Sequence, residues 1–330
     1  MRSFLCFAVL AISGAYSADI NLMHPLSDEF IDFINKQNST WTAGRNFDRN
    51  TPMSHIRSLV GALKSPKLES DIRTIPKDVD IPEFFDAREN WPKCDSIKLI
   101  RDQSGCGSCW AVSTTSVMSD RICIHSNGEK QIYVSDEDLL SCCVSFFEGC
   151  SGGYVFDSFE YWRTDGLVSG GPYNSTTGCR AYSLQPCDHL LMECPEYDTP
   201  KCIKKCDAGS KLIYEDDKTF GISSYYIEDD VEQIQLELLK NGPVVASFEV
   251  YKDFLNYKSG VYQPLDGIDN ADIGSHAVRV LGWGVENDVP YWLAANSWNE
   301  DWGDKGLFKI IRGGKVKFFE QGMVAGMPRL

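Results

Sequence analysis

Past its first dozen residues, the 330-residue chain has no uninterrupted apolar run of the roughly 18 residues that read as a membrane span. It has no internal repeat and no low-complexity tract. Positive charge is scarce: 32 Lys and Arg against 47 Asp and Glu leave a net -15, which excludes a general nucleic-acid binder. Although there are 13 cysteines, the paired CxxC spacings of a tetrahedral zinc site are missing, and the adjacent Cys142 and Cys143 suit zinc poorly. A composition of 43% hydrophobic and 24% charged residues excludes a disordered chain and a multi-span membrane protein. What remains is a globular protein long enough for one or two real cores.

The charge and the cysteines are unevenly placed. Acids and bases balance through residue 80, so the remainder carries the whole excess. Cys6 stands alone, and the other cysteines run from Cys94 to Cys206, a density that points to disulfides formed in an oxidising compartment. The N-terminus agrees. One basic residue, an apolar stretch from Phe4 to Ile12, and small residues at Ala15 and Ser17 read as a signal peptide over residues 1–17, cut before Ala18. Export makes the sequons at Asn38 and Asn174 candidate glycosylation sites.

Residues 26–37 put Leu26, Phe30, Phe33 and Ile34 on one helical face, and a second amphipathic stretch covers Met53 to Leu63. Lys64 to Asp80 is polar, holds Pro66 and Pro76, and reads as an extended linker. Helices are expected over Trp110–Ile122, from Asp136 after the N-cap Ser135, over Tyr154–Thr164, and over Val231–Lys240. Gly170–Asp217 reads as loops held by bridges. Strands are expected at Val244–Val250, Ala277–Trp283, Tyr291–Asn296 and Leu307–Arg312. Helices early and strands late imply an α+β protein of two lobes.

Three residues suit acyl transfer. Cys109 follows a Gly-rich turn and opens a helix, where the N-terminal amides favour a thiolate and supply donors for an oxyanion. His276 begins an apolar strand, and Asn296 follows one, where an amide oxygen can orient an imidazole. Each has a plainer reading: a redox disulfide with Cys106, a packed ring, a turn residue. Together they form a set for a thiol nucleophile whose members meet only in the fold.

QSGCGSCWAV around Cys109, GSHAVRVLGWG around His276 and YWLAANSWNEDWG around Asn296 resemble the three signatures of the papain-like cysteine proteases. The cathepsin B branch is nearest, through DARENWPKC at Asp86, SDRICIHSNG at Ser119, the Cys142-Cys143 doublet, LVSGGPY at Leu167, TPKC at Thr199 and WGVEN at Trp283. The resemblance runs from near Leu26 to the C-terminus. It implies a papain-like two-lobe fold, with a helical left lobe mainly in residues 81–225 and an antiparallel, barrel-like right lobe mainly in 226–330. An active-site cleft would run between them. Residues 18–80 would be an inhibitory propeptide.

By the same resemblance, Cys109 is the nucleophile, His276 the general base and Asn296 its orienter. Gln103 donates to the oxyanion and Trp298 shields the Asn–His bond. Gly152 and Gly153 form the edge that pairs with extended substrate. Glu320 falls at the floor of the second specificity pocket, although Lys317-Phe318-Phe319 before it departs from the pattern. The pairing implied is Cys94–Cys123, Cys106–Cys150, Cys142–Cys202, Cys179–Cys206 and Cys187–Cys194, leaving Cys109 and Cys143 free. His189 matches the first of two loop histidines that hold a substrate's terminal carboxylate, with Asp102 to pair with it, and Leu190 replaces the second.

The expected protein is therefore a lysosomal or secreted endopeptidase made as a zymogen, with weak or absent release of dipeptides. It would be a monomer without cofactor or metal, acting on proteins and peptides. Its own propeptide and cystatin-like proteins would inhibit it. A catalytically dead relative would be expected to lose Cys109 or His276, and a thiol–disulfide exchanger would join Cys106 to Cys109.

Overall fold

The structure is a computed structural model that describes residues 20, 22–143, 149–191, 194–268, 273–314 and 316–330. The expected signal peptide, with Cys6, lies outside the described residues, as do Val144–Glu148 after the cysteine doublet.

The N-terminal segment is folded onto the rest of the chain. Helix α1 (Asp28–Lys36) starts where Ser27 Oγ accepts from the Phe30 amide at 3.2 Å, with Asp28 and Glu29 in its first turn. It buries Phe30 and Ile34. Asn35 then exchanges two hydrogen bonds with the backbone of Ala43, which fixes β1 (Trp41–Ala43) beside the helix. The second amphipathic stretch splits into a short helix, α2 (Met53–Ser58), and a strand, β2 (Ala62–Leu63), while β3 (Ile72–Arg73) lies inside the expected linker.

The central helix α4 (Cys109–His125) follows the short α3 (Ala87–Asn90) and is buried from Cys109 to Ile124 on all sides. Its Ser and Thr hydroxyls return to carbonyls one turn back, as from Ser113 to Cys109 at 2.7 Å, so a polar sequence can lie in a core without orphaned donors. Helix α5 (Asp136–Cys142) is capped by Ser135, whose hydroxyl accepts from the Asp138 amide, and α6 (Val155–Thr164) packs on α4.

The second region is a sheet centred on β11 (Ser275–Glu286). After the short strands β5 (Gly153–Tyr154), β6 (Gly170–Gly171) and β7 (Arg180–Ala181) come those that surround it: β8 (Gly221–Ile227), β9 (Val244–Glu249), β10 (Tyr257–Tyr262), β12 (Val289–Ala295), β13 (Leu307–Ile311) and β14 (Val324–Pro328). The order is β1-β10-β13-β12-β11-β9-β14-β8-β3, with β4 (Phe85–Asp86) added on β11. This corrects the expectation of an antiparallel barrel. The sheet is mixed, with parallel pairs at β10–β13 and β3–β8, and it does not close. The flanking strands β10 and β8 do not meet; each is covered by a strand from the N-terminal segment.

Buried ion pairs join α4 to a second helix and to the sheet. Arg121 on α4 meets Glu237 on α7 (Val231–Asn241) at 2.8 Å, and Asp120 meets Arg279 on β11 at 2.9 Å.

Candidate active site

Cys109 is positioned by a turn that only small residues allow. A Cβ on Gly105 would stand 2.1 Å from the Pro195 carbonyl oxygen, and one on Gly107 would stand 2.4 Å from that of Cys150. Ser104 adopts φ 61°, and the Gly107 amide donates to Cys150 at 2.8 Å. The Cys106–Cys150 disulfide ties the same two strands of chain, so Cys106 is not joined to Cys109. The other bridges are Cys94–Cys123, Cys142–Cys202, Cys179–Cys206 and Cys187–Cys194. Cys109 and Cys143 are free thiols, and burial pushes the Cys143 thiol up to about 12.

His276 lies near the start of β11, and β12 runs antiparallel to it in the register Arg279↔Ala295. The chain therefore returns to place Asn296 beside His276, whose Nε2 donates to Asn296 Oδ1 at 2.7 Å. That contact holds the ring and leaves its buried Nδ1 without a hydrogen bond. Trp298 covers the pair, its ring centre 4.6 Å from that of His276. The Cys109 thiol lies against the backbone of Ala277, the residue after His276.

Gln103 is held by Ser297, whose hydroxyl donates to Gln103 Oε1 at 2.7 Å and whose carbonyl accepts from the Gln103 amide. Gln103 Nε2 donates to Leu59 O at 2.8 Å and to Cys106 O at 2.7 Å. Tyr182 donates to the Gln103 carbonyl at 2.9 Å. Sequence reasoning did not single out Ser297 or Tyr182. Ser297 stood inside a quoted motif, whereas nothing local marks Tyr182.

The N-terminal segment runs through this site. Ala62 and Leu63 pair with Gly153 and Tyr154, and the Gly153 amide donates to Gly61 O at 2.9 Å. Gly61 touches Gly107 so closely that a Cβ there would stand 2.0 Å from its oxygen. A side chain on Gly153 would enter the Trp110 ring, and Gly152 takes φ 132°. Covered in this way, Cys109 and His276 are buried. Burial raises the thiol to about 11, against weaker help from the Ala277 and Gly61 backbone. It lowers His276 to about 4, with the Asn296 contact opposing. The covered site thus favours the uncharged thiol and uncharged imidazole.

Two expected placements are corrected. Glu320 does not line the pocket beside Leu63. After Phe318 enters that pocket with φ 72° and Phe319 turns into the core, the Glu320 carboxylate instead accepts from Trp292 Nε1 at 2.7 Å and the Gly313 amide at 2.6 Å. Gly322 lines the pocket instead. Nor does His189 pair with Asp102. The Asp102 carboxylate is taken by the amides of Ser104 and Cys187 and by Asn299 Nδ2, while the His189 ring packs on Phe47, 4.8 Å between centres. Burial raises the Asp102 carboxyl to about 6. The rings of His55 and His189 come near the Cys194 sulfur, but that atom is committed to its disulfide and offers no thiolate to a metal.

A buried thiol opening a helix, an imidazole held by an amide, and a segment lying across both define a thiol hydrolase with its inhibitor in place. Residues 81–326 match the papain family cysteine proteases and residues 26–66 match the peptidase family C1 propeptide. The chain belongs to the papain family of cysteine proteases and is made with an N-terminal propeptide. Within the family it is cathepsin B-like. It is 45% identical to cathepsin B-like cysteine proteinase 6 of Caenorhabditis elegans over 92% of this chain and 83% of that one. It is 44% identical to a cathepsin B-like cysteine proteinase of Schistosoma japonicum over 92% of each chain. A solved procathepsin B of Trypanosoma congolense superimposes with TM-score 0.81 at 36% identity, covering 93% of this chain and 99% of that one.

Proposed function

We propose that Cys109 attacks the scissile carbonyl, that His276 takes the thiol proton and later gives it to the leaving amine, and that Asn296 keeps the ring in the tautomer that can do so. The acyl-enzyme is then released by water activated by His276. Gln103 Nε2 and the Cys109 amide receive the oxyanion, and Gly152 and Gly153 carry the substrate backbone. The observation that carries this reading is the Leu59 carbonyl on Gln103 Nε2: the propeptide places an oxygen on the donor that a substrate would use. Trp298 keeps water from the His276–Asn296 bond. Turnover should fall in the order wild type, Asn296→Ala, Cys109→Ala, the last near background. Substantial kcat/KM in processed Cys109→Ala would remove the nucleophile.

Activation requires loss of the segment before about Ile81. Until then the thiol is buried and largely un-ionised. The protein is routed through the secretory pathway to a lysosome or outside the cell, where Asn38 and Asn174, both exposed, are open to glycosylation. The mature enzyme acts as a monomer on proteins and peptides, and cystatin-like proteins fit the same cleft.

Endopeptidase cleavage dominates. Leu190, exposed on the loop closed by Cys187–Cys194, has no donor for a terminal carboxylate, and Asp102 does not hold His189. Losing one charge-assisted bond costs about 1.5–3 kcal/mol, or roughly 10- to 100-fold in dipeptide release. A peptide with a free C-terminus and its amide should be cut at similar rates; a strong preference for the free acid would contradict this.

A further inference from the structure

The cavity beside Leu63, about 210 Å³, has walls from both the propeptide and the peptidase part. Its propeptide side is cationic. Lys64 places its ammonium over the Phe318 ring, and Lys67 ion-pairs with Asp229 at 2.6 Å while lying 5.7 Å above the Tyr226 ring. On the other side, Asp229 Oδ1 also accepts from the Gly322 amide at 2.8 Å. Gly322 has no side chain to fill this part of the pocket, and a Cβ there would meet nothing nearer than Tyr226 at 3.9 Å. The neighbouring peptidase cation, Lys317, is occupied by Glu249 at 2.8 Å. When residues before 81 leave, both lysines leave with them. The pocket keeps a carboxylate anchored by a backbone amide, together with two aromatic faces.

Those are the groups that receive a guanidinium: a carboxylate that can accept two parallel bonds and rings that attract a cation. The pocket lies two residues along the cleft from Gly61, which sits at the thiol. We propose that Asp229 is a specificity-determining residue that selects a basic side chain, arginine above lysine, at the second position before the scissile bond. The inference rests on the cleft assignment above. It departs from the assignment of that role to Glu320, which the structure places on Trp292 and Gly313. In the zymogen, Lys67 occupies the place of the substrate cation, so the propeptide satisfies the carboxylate that substrate later uses.

The test uses the processed enzyme and two peptides that differ only at that position, one with Arg and one with Leu. Asp229→Asn keeps the shape and the acceptor for Gly322 but removes the charge. It should lower the Arg/Leu ratio of kcat/KM about tenfold, with the Leu peptide changed less than twofold. Asp229→Glu should retain most of the preference, and Glu320→Gln should leave the ratio unchanged. A ratio that Asp229→Asn does not move, whether both rates hold or both fall together, overturns the assignment and leaves the catalytic reading standing. A ratio lowered by Glu320→Gln instead returns the role to that residue. A folded, processed wild type that cuts neither peptide overturns both readings.

Discussion

The two walls of the cleft are made rigid by different chemistry. From Ala87 to Asp217 the chain relies on disulfides and on charges taken out of water in pairs. Arg101 meets Asp136, Arg180 meets Glu137 and Asp138, and five bridges close the surrounding loops. The sheet wall has aromatic rings in contact instead: Phe254 lies 5.0 Å from Trp302, 5.1 Å from Phe308 and 6.1 Å from Trp298. Its buried Asp253 meets neutral partners among the described residues, including the Tyr262 hydroxyl at 2.7 Å and the Leu265 amide at 2.9 Å. Cys109 is thus held by covalent and ionic ties, whereas His276 and Asn296 are held by packing and by the hydrogen bond between them. The catalytic set spans both.

The seam between the walls is where the comparison breaks most severely. Asp120 comes from the helix wall and Arg279 from the sheet wall, both buried. Arg279→Met leaves Asp120 without its cation and should destabilise the uncut Cys109→Ala zymogen by about 3–5 kcal/mol. Adding Asp120→Leu should recover much of that loss, since two apolar groups replace the pair. Urea unfolding of the single and double variants checks it; a double variant no more stable than the single one would show that the seam is not held by this pair.

A smaller effect sharpens the contrast in buried charge. Burial raises the Asp253 carboxyl from 3.8 to about 6, against partial relief from the Leu265 amide and Tyr262. The folded state therefore holds this proton more tightly than the unfolded chain. Its stabilising contribution is full below 3.8 and lost as pH rises through about 6. At about 1.4 kcal/mol per unit, the difference is roughly 3 kcal/mol. Asp253→Asn should flatten the pH dependence of stability between about pH 4 and pH 7, with a residual slope from Asp102, raised in the same direction. Unfolding midpoints at those two values measure it, and an unchanged slope would remove Asp253 as its source.

The pattern of agreement between sequence and structure has a physical basis. Helices with a side-chain cap were legible: Ser27 and Ser135 each accept from the amide three residues on, and Val231–Asn241 ends at Gly242 with φ 93°. Cys109–His125 was legible although nearly every face is buried, because its 17 residues are rich in small side chains and contain no Gly or Pro to interrupt a helix. The strands β1, β3, β8 and β14 were not recognised. All four pair with partners at least 90 residues away, and no local turn announces such pairing. The barrel expectation failed for a related reason: which strand occupies a sheet edge depends on where the N-terminal segment lies, and that is a long-range choice. Glu320 failed by local geometry, since the positive φ at Phe318 reorients the side chains after it.

The sequence by itself determined the chemistry that is carried by residue type and near neighbours. It placed a cysteine at a Gly-rich helix start, separated a histidine and an asparagine onto successive apolar strands, and put a near-neutral segment ahead of an acidic one. Tertiary structure decided what depends on distance in space. It set which amide faces His276, which carbonyl fills the donor of Gln103, which cysteine joins Cys106, and which carboxylate stands in the pocket beside Leu63. Each of these turns on chain segments meeting across tens to hundreds of residues, where burial and register, rather than local preference, select the partner.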